Sequence, residues 1–153
     1  MSESVARREP RVASAIAPIY LVLFPIRVVC FLAALATDIA YSATAFLMWL
    51  HFSEWLIAAG LVVGALAALA LLVEFLASRA IRTGGLGWGH LVLFYGALLV
   101  ELFNAFIHTI DGWTAVVPTG MTLSIVAAIL ALGAVGTLFR VPVTWVAHRE
   151  LRR

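Results

Sequence analysis

The sequence predicts an all-α membrane protein: a bundle of four transmembrane helices with both termini on the cytoplasmic side. Hydrophobic residues make up 64% of the 153 residues, and charged residues only 12%, which is about half the share in a typical soluble domain. Mean hydropathy is +1.08. A soluble chain of this size could not bury so much apolar surface, so lipid must surround most of it.

The first long apolar stretch is too long for one membrane span. Residues 15–50 contain 36 residues, which as one helix would extend about 54 Å against a hydrocarbon core of roughly 30 Å. We therefore predict an Arg-rich cytoplasmic tail over 1–14 and a first span over 16–42. A short interfacial segment over 43–53 should follow, because its tryptophan and histidine side chains suit the depth of the lipid head groups.

Three further spans follow from apolar runs separated by turn signals. The second is predicted over 54–78 and ends before a glycine-rich turn. The third is predicted over 89–110 and ends at an Asp-Gly turn signal, and the fourth over 119–139. Together they form a transmembrane domain over 15–141, followed by a basic cytoplasmic tail over 142–153.

The distribution of arginine predicts the orientation. All 10 cationic residues are arginines. The N-terminal tail carries three, the connection between the second and third spans two, and the C-terminal end four, whereas the other two connections carry none. Positive residues concentrate on the cytoplasmic side of membrane proteins. Both termini are therefore expected in the cytoplasm. No continuous basic face exists, so a nucleic-acid partner is not expected.

Small residues on the second span predict close helix packing. Gly60, Gly64 and Ala68 recur every four residues, and small side chains let transmembrane helices approach each other closely. This pattern favours packing within the bundle over a dimer interface.

Ionisable side chains inside the spans are costly unless they are paired or solvated, so they are the best indication of a site. On the cytoplasmic half, Arg27 and Glu74 fall at similar depths in the predicted spans. We expect them to pair with each other and fix the first two helices, unless Glu74 pairs with Arg79 or Arg82.

The external half is richer in polar side chains. They are Asp38, His51, Glu54, Asn104, His108 and Asp111. His51 and Glu54, like His108 and Asp111, are three residues apart and share a helical face, which suits a metal or a hydrogen-bonded pair. We expect a hydrogen-bonded network without a bound metal, in which His108 lies near Asp38 or Asp111.

Haem binding is the alternative that the histidines suggest. His90 and His108 lie 18 residues apart, about 27 Å along a helix, so they cannot ligate the same haem. Each of these histidines, like His51, would need a second haem ligand from elsewhere in the protein. No nucleophile and base stand in a catalytic arrangement, so no enzymatic activity is expected.

Four stretches carry a family resemblance. They are Pro18–Ile26 (PIYLVLFPI), Leu35–Tyr41 (LATDIAY), Trp55–Gly60 (WLIAAG) and Ile107–Gly120 (IHTIDGWTAVVPTG). They resemble a family of small bacterial inner-membrane proteins, domain-of-unknown-function family 2231. The resemblance implies a four-helix protein of the bacterial inner membrane, and some relatives are joined to Rieske iron–sulfur domains.

The resemblance also implies proximity to respiratory redox chemistry. Family members often carry His before the first proline, which could pair with the His matching His90 as axial ligands of haem b. Here that position is Ala17, and Arg27 stands where a small or apolar residue is expected.

Three functions are compatible with these features. The first is a non-catalytic membrane subunit that docks to or stabilises a larger bacterial redox or energy-converting complex. The second is a b-type haem or quinone-linked electron carrier, which would use His90 and His51 or His108. The third is a small transporter or proton path through Glu74, Glu101 and Asp38.

Overall fold

The computed structural model describes residues 13–77, 88–110 and 112–139, and these residues form helices without any strand. The four long helices are α1 (Ala13–Thr44), α2 (Leu47–Ala77), α3 (Trp88–His108) and α4 (Thr119–Phe139). A short 3-10 helix, Gly112–Ala115, lies between α3 and α4.

Each long helix contains a segment long and apolar enough to cross a membrane. The segments are Ile19–Thr44, Leu47–Val73, Trp88–His108 and Thr119–Phe139. Only 28–33% of the residues in these segments are buried inside the bundle, as expected where lipid covers apolar surface. The prediction of an all-α bundle with four membrane-spanning helices is confirmed.

The helices pack as a closed ring. The largest interfaces join α1 to α2 and α3 to α4, and α1 also packs on α4 and α2 on α3. Residues of α1 and α3 nevertheless meet across the centre of the ring, where most of the buried polar side chains lie. The interior of the ring therefore contains the candidate site.

The first connection differs from the interfacial segment expected over 43–53. Only Ala45 and Phe46 separate the two helices, so this segment is divided between the end of α1 and the first turns of α2. Leu50 and Ser53 are buried, and these turns therefore pack as part of the bundle. Ala45 has a left-handed φ of 52°, which ends α1 and lets the chain reverse.

Small residues on α2 allow close packing inside the bundle. A Cβ atom added to Gly60 would lie 2.5 Å from the ring of Phe31 on α1. At Gly64 it would overlap Leu98 and lie 2.8 Å from the Cδ atom of Arg27. Ala68, one turn further, packs against the apolar core. These positions hold α2 against both α1 and α3.

The buried face of α3 is unusually polar. Its buried residues are His90, Phe94, Ala97, Glu101, Asn104 and His108. Their spacing alternates between four and three residues, the pattern of a helix that packs along one seam. Because four of these six side chains are polar, the fold delivers hydrogen-bonding groups along the whole length of the bundle interior.

Candidate functional site in the polar core

Asp38 is the centre of a buried hydrogen-bond network. Its side chain is fully buried on α1. Ser53 on α2 donates to Oδ1 and Ser124 on α4 donates to Oδ2, each at 2.5 Å. His108 Nε2 on α3 lies 3.0 Å from Oδ1. One carboxyl group therefore joins all four helices, which offsets the cost of burying it away from water.

The pattern of hydrogen bonds places a proton between His108 and Asp38. His108 Nδ1 lies 3.0 Å from the backbone carbonyl of Asn104. A carbonyl can only accept, so Nδ1 carries a hydrogen. The 3.0 Å contact between Nε2 and the Asp38 carboxyl oxygen then needs a second hydrogen, carried by the imidazole or by the carboxyl group. The pair therefore shares one proton.

Asn104 extends the network towards the centre of the bundle. Its Nδ2 donates to Ser124 Oγ at 2.8 Å and to Glu101 Oε2 at 3.2 Å. The side chains of Asn104 and Glu101 are fully buried. Polar side chains from three successive turns of α3 thus belong to one network.

Arg27 lies nearer the other end of the core and is also fully buried. Its Nη1 donates to the carbonyl of Phe94 at 3.1 Å. Its guanidinium carbon lies 4.2 Å from the ring centre of Phe94, and the rings of Phe24 and Phe31 lie at 5.5 and 5.3 Å. Such cation–π contacts stabilise a cation that is removed from water.

A second polar cluster lies at the far end of the core. The Tyr20 hydroxyl is hydrogen bonded to His90 Nε2, and His90 Nδ1 lies 2.7 Å from Thr137 Oγ1. Thr137 donates its own hydrogen to the Ala134 carbonyl at 2.7 Å, so its oxygen accepts from Nδ1. Nε2 then accepts from Tyr20. These contacts fit a neutral His90.

The histidines proposed as haem ligands lie in three different environments. His90 and His108 sit at opposite ends of α3, and both ring nitrogens of each are hydrogen bonded. His51 is exposed and lies 3.2 Å from Glu54. Ser53, two positions further along the same helix, faces the Asp38 network, so His51 points away from it. Among the residues that the structure describes, no three His, Cys, Asp or Glu side chains are grouped to hold a metal ion.

The other predicted site residues divide into two groups. The structure brings Asp38, Asn104 and His108 together and adds Glu101, as described above. The side chains of Glu74 and Asp111 lie outside the described residues. Sequence analysis missed Ser53, Ser124, Thr137 and Tyr20. The sequence did indicate these residues, since a hydroxyl group inside a transmembrane helix also needs a hydrogen-bond partner.

A cavity connects the exposed surface with the buried network. It has a volume of about 350 Å³ and lies between α2 and α3, lined by Glu54, Ile57, Ala58, Ala105, His108 and Thr109. Glu54 is partly exposed, whereas the side chain of His108 is only 1% exposed. The cavity therefore places an exposed carboxyl group opposite the ring of a buried histidine.

Comparison with known protein families identifies a match over most of the chain. The family model described as "Predicted membrane protein (DUF2231)" matches residues 16–138. No curated protein and no solved structure matches the chain. The matched residues include every side chain of the polar core described above.

Proposed function

The chain belongs to the DUF2231 family of predicted membrane proteins, and we propose that it is a small membrane subunit with a proton path through its polar core. This path would serve a larger redox or energy-converting complex of the bacterial inner membrane. The observation that carries the proposal is the contact between Asp38 and His108. These two side chains share one proton inside a network that joins all four helices.

The charges of the core support a transferable proton. Arg27 contributes one positive charge, an ionised Glu101 one negative charge, and Asp38 with His108 and their shared proton none. An additional proton would leave this buried core with an uncompensated positive charge, and such charges are costly in a medium of low polarity. A proton that enters the network is therefore poised to leave it again.

The cavity between α2 and α3 supports an entrance for protons. Glu54 lines this cavity and forms a pair with exposed His51, separated by 3.2 Å. Imidazole and carboxyl groups exchange protons readily with water. From this pair a proton would reach His108 through the cavity and then Asp38, whereas the cluster of Tyr20 and His90 would form the opposite end of the path.

Proton flux into liposomes tests this function. Purified protein in liposomes with an internal pH-sensitive dye should acidify the interior faster than protein-free liposomes under an imposed potential. Asp38→Asn should lower the rate to that of protein-free liposomes, because an amide cannot take up the proton. Thr37→Val is the matched control, since among the described residues the Thr37 hydroxyl bonds only to carbonyls of its own helix.

Two results would contradict the proton path: a wild-type rate equal to that of protein-free liposomes, or an undiminished rate for Asp38→Asn. The role as a subunit has a separate test. Purification in mild detergent should recover subunits of a redox or energy-converting complex together with this chain.

The orientation in the membrane completes the proposal. We place both termini in the cytoplasm, on the basis of the arginine distribution, so the cavity beside His108 opens to the external side. Single cysteines at Arg82 and Arg149 should react with a membrane-permeant reagent only, and one beside Trp113 also with an impermeant reagent. The native cysteine, Cys30, is first replaced by alanine, so that each variant contains a single cysteine. Labelling of the cysteine at 82 from outside would contradict this topology.

A further inference from the structure

Four buried polar atoms near the middle of the core have no hydrogen-bond partner among the described residues. They are Arg27 Nε, Arg27 Nη2, Glu101 Oε1 and Asn104 Oδ1. The first two are donors and the last two are acceptors, with Asn104 oriented so that its Nδ2 serves Ser124 and Glu101. Buried polar atoms are rarely left unsatisfied, and an exception usually indicates a bound water molecule or ion.

The helix geometry brings these atoms towards one another. Arg27 is anchored at the level of Phe94 by the hydrogen bond to its carbonyl. Glu101 lies seven residues further along α3, about 10 Å along the axis, but side chains on a helix tilt back towards its N-terminus. Between them on the buried face is Ala97, which is fully buried and whose small side chain leaves room in the core.

The four unsatisfied atoms match the hydrogen-bonding capacity of water. Water accepts two hydrogen bonds and donates two, and buried waters usually bind two to four polar groups. Nε and Nη2 lie on the same edge of the Arg27 guanidinium group, so both can donate towards one oxygen. That water can in turn donate to Glu101 and Asn104. A direct ion pair between Arg27 and Glu101 would leave the Asn104 oxygen without a partner.

We propose that the core binds water at a site formed by Arg27, Glu101 and Asn104. This site rests on the proposed function in one respect: the water would extend the proton path from the Asp38 network towards Arg27. Asn104 itself cannot pass a proton, whereas a water molecule beside Glu101 can. The binding site itself depends only on the unsatisfied atoms.

X-ray radiolytic labelling of the protein in lipid nanodiscs, prepared in H₂¹⁸O, tests this site. A short X-ray pulse converts bound water to hydroxyl radicals, which add ¹⁸O to neighbouring side chains. Phe94 and Phe31 surround the Arg27 guanidinium group and should be labelled. Phe103, on the lipid-facing side of the same helix, is the dry control and should be labelled several-fold less.

Two variants sharpen this experiment. Arg27→Met removes both unsatisfied donors and should reduce the labelling of Phe94 and Phe31 several-fold. If that variant fails to fold, Glu101→Leu removes the carboxyl group of the site and should have the same effect. Wild-type labelling of Phe94 and Phe31 no higher than that of Phe103 would overturn the proposal. Labelling does not require proton flux. Labelled Phe94 and Phe31 in a protein without flux would support the water site and contradict the proton path, and flux without labelling would do the opposite.

Discussion

Replacing Asp38 by alanine is expected to destabilise the bundle by about 3–5 kcal/mol, the usual cost of removing one partner from a buried charged network. Ser53, Ser124 and His108 would each lose the carboxyl group to which they are hydrogen bonded. All three side chains are buried, so water can replace the lost carboxyl group only by way of the cavity beside His108. Equilibrium unfolding in mixed detergent micelles, followed by circular dichroism, measures the loss.

Two comparisons assign that loss to the network. Asp38→Asn keeps the shape and one acceptor oxygen, so it should cost less than Asp38→Ala. Glu54→Ala removes a partly exposed carboxyl group whose described partner is exposed His51, and such pairs contribute only about 0–1 kcal/mol. Equal losses for Asp38→Ala and Glu54→Ala would mean that the network does not hold the helices together.

Replacing Arg27 by alanine is expected to cost a similar free energy of unfolding, about 3–5 kcal/mol. The variant loses the hydrogen bond to the Phe94 carbonyl and the contacts with three aromatic rings. It also leaves a void beside Gly64 and removes the positive charge that balances Glu101. Arg27→Met should lose less, because a long apolar side chain keeps most of the packing. The same unfolding measurement compares the two variants.

A double-mutant cycle identifies the partner of Arg27. The sequence suggests Glu74, whereas the unsatisfied atoms of the core suggest Glu101. Gly64 lies against the Arg27 side chain, and position 74 is ten residues further along α2, about 15 Å along its axis. We therefore expect Arg27→Met to couple to Glu101→Gln more strongly than to Glu74→Gln. The opposite order would restore the pairing suggested by the sequence.

The sequence by itself determined the number and type of the long helices. Four apolar runs long enough to cross a membrane leave few alternatives, because a backbone in lipid must satisfy its own hydrogen bonds. It also marked Arg27, Asp38, Glu101 and His108 as residues that need partners, since an ionisable group inside a span is costly. That cost depends on the side chain and on its depth in the membrane, so it can be estimated without knowing which side chains lie next to it.

Only the tertiary structure decided which partners these residues have. Asp38 and His108 are 70 residues apart, and their contact depends on how α1 and α3 are rotated about their axes. Apolar residues cover α2 on all sides, so its hydrophobic pattern gives no rotation. Its row of small residues indicates one packing face, but the sequence does not show which helix that face meets, and so does not pair Ser53 or His51 with Asp38. Ser53 and His51 are two positions apart, about 200° around the helix. Packing against α1 turns Ser53 inward to Asp38 and leaves His51 exposed.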